Sequence, residues 1–232
     1  MSRRPSFPLS VLVLVAGLAA PLVPSAAAPG APAPAGRQTG AAGAVYDARL
    51  GEAVGDLVVR RERREGYDRD LYTHWVDADG DGCDTRDEVL LAEAVEDPTV
   101  GDGCALSGGR WRSPYDGASW TETGDLDIDH LVPLAESWDS GARRWSDARR
   151  ERFANDLGDR RALVAVTDEV NASKGDQDVR EWRPDLRPCR YVRDWVAVKL
   201  RWRLSVDRRE VRALRGLAGD CGDPRVRVTR AR

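Results

Sequence analysis

The stretch Leu126-Asp127-Ile128-Asp129-His130-Leu131 alternates apolar and polar residues and leads into Val132-Pro133. That two-residue period predicts a strand, with Asp129 and His130 side by side at its end, and the proline ends it. A second apolar run, Arg161-Ala162-Leu163-Val164-Ala165-Val166, predicts a partner strand. Thr167 follows as a helix cap, with Asp168 and Glu169 in the first turn and Gly175 at the stop. Asn171 and Lys174 lie three apart and therefore share a face of that short helix. The segment from about 126 to 176 thus gathers an imidazole, a carboxylate, an amide and an ammonium on a strand–loop–strand–helix unit.

Those residue types suit hydrolysis of a phosphodiester. A histidine takes a proton from water near neutral pH without large tuning. A hard cation such as Mg²⁺ or Mn²⁺, held by a few oxygen ligands, offsets charge growing on the phosphate. Asp129 and the Asn171 amide oxygen are such ligands, and Lys174 adds a fixed positive charge. Taken alone, His130 reads more readily as a structural histidine; its neighbours shift the balance.

The run Asp127-Ile128-Asp129-His130-Leu131-Val132-Pro133 resembles the D-x-D-H-[IV]-V-P signature of HNH nucleases, also called His-Me finger or ββα-metal nucleases. The flanking Pro-Leu-Ala-Glu-Ser-Trp, Phe-Ala-Asn-Asp and Asn-Ala-Ser-Lys-Gly-Asp are similar to the exported bacterial branch of that family. The resemblance implies an α+β fold: a small ββα-metal nuclease core inside a mostly helical, disulfide-stabilised single domain spanning 44–232. It implies that His130 is the general base, that Asp129 and Asn171 hold the metal, and that Asn155 steadies the loop between the strands. Asn171 stands where many members have a histidine, which leaves His130 as the one base. The implied substrate is DNA, with RNA also accessible, since attack by water requires no 2′-hydroxyl. Little sequence specificity and a monomer are expected. The rival reading is a non-catalytic secreted calcium-binding or wall-associated interaction module on the same scaffold.

Upstream, Asp77-Ala-Asp79-Gly-Asp81-Gly-Cys83 through Glu88 matches a twelve-residue calcium loop at its acidic positions, its glycine and its closing glutamate. Asp77, Asp79, Asp81, Cys83 and Glu88 are the candidate Ca²⁺ ligands. The competing interpretation is a helix start decorated with acids, because Asp84 occupies a position that is normally apolar. Four cysteines admit three pairings; Cys83–Cys104 and Cys189–Cys221 each close a local loop and are favoured.

Met1 to Ala27 has a positive start, a short apolar core and a small-residue end, and is expected to be a secretory signal. Residues 28–43, rich in Pro, Ala and Gly, are expected to be a disordered tether. Secretion suits a chain whose cysteines are even in number. No apolar stretch of spanning length occurs beyond the signal, so no membrane partner is expected.

The 232 residues carry a net charge of −3. Residues 1–129 carry −10 and 130–232 carry +7, which suits a metal-binding region beside a polyanion-binding one. Arg143, Arg144, Arg160 and Arg161 are the candidate substrate-binding residues. Trp138, Trp145 and Trp182 are expected mainly in the core, and His74 at a packed or surface position. Glu136 is given a supporting role near His130. Helices are expected over Val45 to about Glu65, Thr85 to about Val95, Ala148–Ala154, Cys189–Leu204 and Arg208–Leu217.

Overall fold

A computed structural model describes residue 41 and residues 43–232. The expected signal and nearly all of the tether lie outside the described residues. The rest is an α+β domain built from short elements. Strand β1 (Val45–Arg49) pairs antiparallel with β10 (Arg225–Thr229), and β2 (Val58–Val59) pairs parallel with β9 (Ser205–Val206). Two small hairpins follow, β3 (Thr99–Val100) with β4 (Leu106–Ser107) and β5 (Trp111–Arg112) with β6 (Ser119–Trp120). The central ribbon is β7 (Leu126–His130) against β8 (Leu163–Thr167), antiparallel, with His130 opposite Leu163 and Asp129 opposite Val164. The helices are α1 (Leu50–Asp56), α2 (Thr85–Glu93), α3 (Leu134–Asp139), α4 (Asp147–Ala154), α5 (Asp168–Lys174), α6 (Pro188–Trp202) and α7 (Arg208–Asp220).

The ribbon separates two apolar clusters. On one face Leu126, Ile128, Leu163 and Ala165 meet Val89 and Leu90 of α2 and the buried Trp111. On the other, Val164 and Val166 join the larger cluster around Trp195, Val192 and Val196 of α6, with α1, α7 and β10. Alternation along each strand makes this two-sided burial possible. Trp138 is buried, and Trp145 and Trp182 pack on the same cluster.

One expected element is replaced. The helix expected from Val45 to about Glu65 is instead β1, then α1, then β2. The apolar spacing fitted a helix locally, but Val45–Arg49 finds a strand partner at the far end of the chain. Such pairing leaves no trace in a local window. The hydroxyl of Thr167 stands at the start of α5 without capping it. It donates to Asp116 Oδ2 at 2.8 Å and accepts from Trp120 Nε1 at 2.9 Å, tying β8 to the second hairpin.

Cys83 is bonded to Cys104 and Cys189 to Cys221, with Cα separations of 5.0 and 5.4 Å. The second bridge ties the start of α6 to the end of α7. Each contributes roughly 2–4 kcal/mol. No helix among the described residues is long and apolar enough to cross a membrane.

A polar hub lies within the larger cluster. Lys199, fully buried, donates to Glu136 Oε1 (2.6 Å), Glu210 Oε2 (2.8 Å), Ser140 Oγ (3.0 Å) and the Ser205 carbonyl (3.1 Å). Glu136 is therefore a member of this hub, rather than a support for His130. Glu62 brings a third carboxylate to within 4.8 Å of the other two, and its buried Oε1 has no hydrogen-bond partner. Burial pushes Glu62 up to about 7 and Glu210 up to about 8. Both carboxyls thus hold protons in the folded state that the unfolded chain releases nearer pH 4.5. The stability tied to them is full below that value and is lost as pH rises through 7 to 8. Glu62→Gln is accordingly expected to flatten the fall in unfolding free energy between pH 5 and 8. Urea melts across that range check it, and an unchanged slope refutes it.

Candidate active site

Adjacent residues of a strand point to opposite faces, so Asp129 and His130 serve different surroundings. Asp129 is buried, and both its oxygens are engaged. Lys174 Nζ donates to Oδ1 at 2.7 Å and the Tyr115 hydroxyl donates to Oδ2 at 2.5 Å. Burial raises the Asp129 carboxyl above its ordinary range, and the Lys174 ammonium pulls it back. Lys174 itself is fully buried and also donates to the His130 carbonyl at 3.1 Å. It binds the last turn of α5 to the end of β7.

His130 is buried, with Nε2 2.9 Å from the Ala154 carbonyl. A carbonyl only accepts, so Nε2 carries the hydrogen and Nδ1 is left with its lone pair. Burial drives the imidazole down to about 3, and the charges of Arg69, His74 and Lys174 push the same way. The ring is therefore neutral across the physiological range. Trp75 stacks on it, with centroids 5.6 Å apart and planes at 29°. Trp75 adopts φ of +60°, a conformation that side chains with a Cβ seldom take. His74 lies 6.5 Å from His130, ring to ring, and its Nδ1 bonds the Tyr72 carbonyl at 2.8 Å.

Asn155 holds that segment in place. Its Oδ1 accepts from the Val76 amide at 3.1 Å, and its Nδ2 donates to the Thr73 and Glu151 carbonyls, both at 2.8 Å. It thereby fastens the residues carrying His74 and Trp75 to the end of α4, next to the carbonyl that orients His130. Asn171 donates through Nδ2 to Asp127 Oδ2 at 3.1 Å, which turns its amide oxygen away from Asp127. Asp129, His130 and Asn171 line one cleft of about 310 Å³, together with Arg69, Tyr67, Pro133 and Asp176. Arg64 closes part of the rim through Asp139 at 2.8 Å and a contact with Asp176.

The arginines named from sequence lie elsewhere. Arg143 and Arg144 sit on the turn after α3, outside the cleft lining. Arg160 donates to the Ala92 carbonyl at 3.0 Å. Arg161 is paired with Asp159, at 2.7 and 2.6 Å. Both line a second cavity at the opposite edge of the ribbon. Clustering in sequence placed them near β8, but on its outer side. The cation at the cleft is instead Arg69, from a short helical turn far upstream.

In the acidic loop, Asp77, Asp79 and Asp81 bring carboxylate oxygens within 4.8 Å of one another, all exposed. Asp77 accepts from the Gly80 and Gly82 amides at 2.8 and 3.1 Å. Burial, then Asp81, Asp79 and Asp77, raises the Glu88 carboxyl. Asp84 caps α2 through the Arg86 and Asp87 amides, so the loop ends as a well-formed helix start. Arg86 links that helix to the Leu126 carbonyl at the head of β7 (3.2 Å).

Tyr115, Trp75, Asp127 and Arg69 are site residues that the sequence alone did not single out. Asp127 had a usable signal, since two positions before Asp129 is the same strand face. Tyr115 sits in a Pro-Tyr-Asp-Gly turn whose local pattern speaks only of the turn.

A two-stranded ribbon and helix that aim a neutral imidazole and hard oxygen donors into one cleft define a scaffold suited to hydrolysis. GmrSD restriction endonucleases, C-terminal domain, is the family that matches residues 88–217, more than half of the chain, and the chain belongs to it. The match covers β7, β8 and α5 entire. An uncharacterized secreted protein of Arthroderma benhamiae is 44% identical over 160 residues, spanning 68% of this chain and 77% of that relative. No solved structure matches the chain.

Proposed function

We propose that this protein is a secreted, metal-dependent endonuclease of the HNH type that hydrolyses phosphodiester bonds in DNA, with RNA also accepted. The observation that carries the reading is the bond from His130 Nε2 to the Ala154 carbonyl. It commits the ring to the tautomer in which Nδ1 is the proton acceptor, on the wall of a cleft that also holds oxygen donors. Membership in a restriction-endonuclease family supports the substrate class. Two disulfides and the secreted description of the relative support export.

The donors present fit a hard cation. Asp129 and Asn171 offer oxygens, while the four thiols are all used in disulfides, which disfavours zinc. Asp129 and Asn171 would hold Mg²⁺ or Mn²⁺. When bound, the ion stabilises charge on the phosphate and the leaving oxygen. The remaining work belongs to the chain. His130 Nδ1 receives a proton from the attacking water. Lys174 and Tyr115 fix the Asp129 carboxylate, each occupying one oxygen and leaving a lone pair. Asp127 orients the Asn171 amide. Arg69 attracts a phosphate to the cleft, and Asn155 keeps the His130 support rigid.

Plasmid cleavage by the purified protein, with Mg²⁺ or Mn²⁺ and with EDTA, tests the reading. Cation-dependent nicking that EDTA abolishes is expected. Its absence under all ions favours a non-catalytic binding module. The convergence of Asp77, Asp79 and Asp81 also supports a weak extracellular Ca²⁺ site with Cys83 and Glu88, at about 10⁻⁴–10⁻³ M. Calorimetric titration with Ca²⁺ checks that separately.

The pH–rate profile follows from the depressed imidazole. The basic form of His130 persists down to about pH 3, so cleavage is expected to show no acid limb between pH 6 and 7. An inflection near 6.5 that His130→Gln removes would contradict the buried, neutral ring.

A further inference from the structure

The ribbon has a second cavity, along the edge of β8 that faces away from β7. Its volume is about 220 Å³, and it shares no lining residue with the His130 cleft. Five arginines line it: Arg112, Arg160, Arg161, Arg187 and Arg190. Its acids are Glu93 and Asp194; Asp194 pairs with Arg190, and neither reaches Arg112 or Arg187. Glu93 accepts from the Ala165 amide at 2.8 Å, and burial pushes its carboxyl up to about 7. Asp194 is shared between Arg190 (3.4 Å) and Arg193 (3.1 Å). Arg161 is held by Asp159 and Arg160 by a carbonyl. Arg112 and Arg187 have no ion-pair or hydrogen-bond partner through their side chains among the described residues.

Arg187 also has φ of +53°, immediately before the fifteen-residue α6. A strained backbone at a cavity mouth marks a position that the surrounding structure holds at a cost. The first turns of α6 flank the same cavity through Arg190, Tyr191 and Asp194. The wall beneath is aromatic, formed by Tyr115 and Tyr191. Two exposed, unpaired guanidiniums at the rim of a cavity whose lining includes two tyrosines are chemistry for a planar ring bearing a phosphate.

We propose that this cavity binds a nucleotide, with Arg112 and Arg187 on its phosphate and Tyr115 and Tyr191 against its base. The Tyr115 hydroxyl bonds Asp129 at 2.5 Å, so a ligand against that ring touches the residue that steadies the candidate active-site carboxylate. This inference stands on the cavity itself and holds whether or not the cleft is a nuclease site.

The test is calorimetry with thymidine 5′-monophosphate in EDTA, where nothing is cleaved. The parallel arms are thymidine, inorganic phosphate and a 5′-phosphorylated trinucleotide. The monophosphate is expected to bind at least tenfold more tightly than thymidine or inorganic phosphate. The double variant Arg112→Glu/Arg187→Glu is expected to weaken it tenfold or more, whereas Arg69→Ala in the cleft leaves it unchanged. Circular dichroism verifies that the double variant is folded. A trinucleotide that binds as well as the monophosphate identifies a strand end as the source, and one that does not identifies the free nucleotide. Equal binding of thymidine, equal binding of phosphate alone, no binding, or loss with Arg69→Ala and not with the double variant would each overturn the proposal.

Discussion

His130→Ala is expected to lower cation-dependent plasmid cleavage by about 10²–10⁴-fold, the range that a positioned general base supplies. The ring has one nitrogen committed to the Ala154 carbonyl, and no second imidazole lines the cleft among the described residues. His74 is the nearest second imidazole, at 6.5 Å, but it does not line the cleft. Its Nδ1 is tied to the Tyr72 carbonyl, as His130 Nε2 is tied to Ala154. His74→Ala should therefore leave most of the activity intact. Initial rates at saturating Mg²⁺, with melting curves to confirm folding, decide it. Full activity in the His130 variant would remove that ring from the chemistry.

The second large effect concerns stability. Lys199→Met is expected to cost about 3–5 kcal/mol, because it leaves Glu136 buried without its counter-charge and Glu210 without its hydrogen-bond donor. For a domain of this size that corresponds to a fall in Tm of roughly 6–20 °C. Removing a charge with the lysine should restore part of the loss, so Lys199→Met/Glu136→Gln is expected to melt above Lys199→Met. Calorimetric Tm values for the three proteins check both statements. A Lys199→Met protein that melts with wild type would show that the hub contributes little.

The ribbon and α6 are legible because each has a clean period, two for Leu126–His130 and near 3.6 for Pro188–Trp202. The proximity of Asp129, His130, Asn171 and Lys174 was readable for the same reason, since register and helix pitch carry the first pair to the second. What local spacing cannot supply is the set of neighbours that gives those groups their character. Tyr115 comes from a turn, Trp75 from a left-handed bend held by Asn155, and Arg69 from a single helical turn. Each reaches the site only through tertiary packing. The arginines show the converse failure. Arg160 and Arg161 flank β8 in sequence, yet strand geometry sends them to its outer edge, where Asp159 and Ala92 engage them. Charge density along a chain does not say which side of a strand it will occupy.

The pairing of β1 with β10 joins residues near opposite ends of the described chain, and Leu50 adds a bond to the Pro224 carbonyl at 2.8 Å. A polypeptide synthesised from its first residue onward therefore carries a waiting strand until β10 has emerged. Closure waits on everything between the two strands, so a chain cut short before β10 stays unzipped and open to proteases.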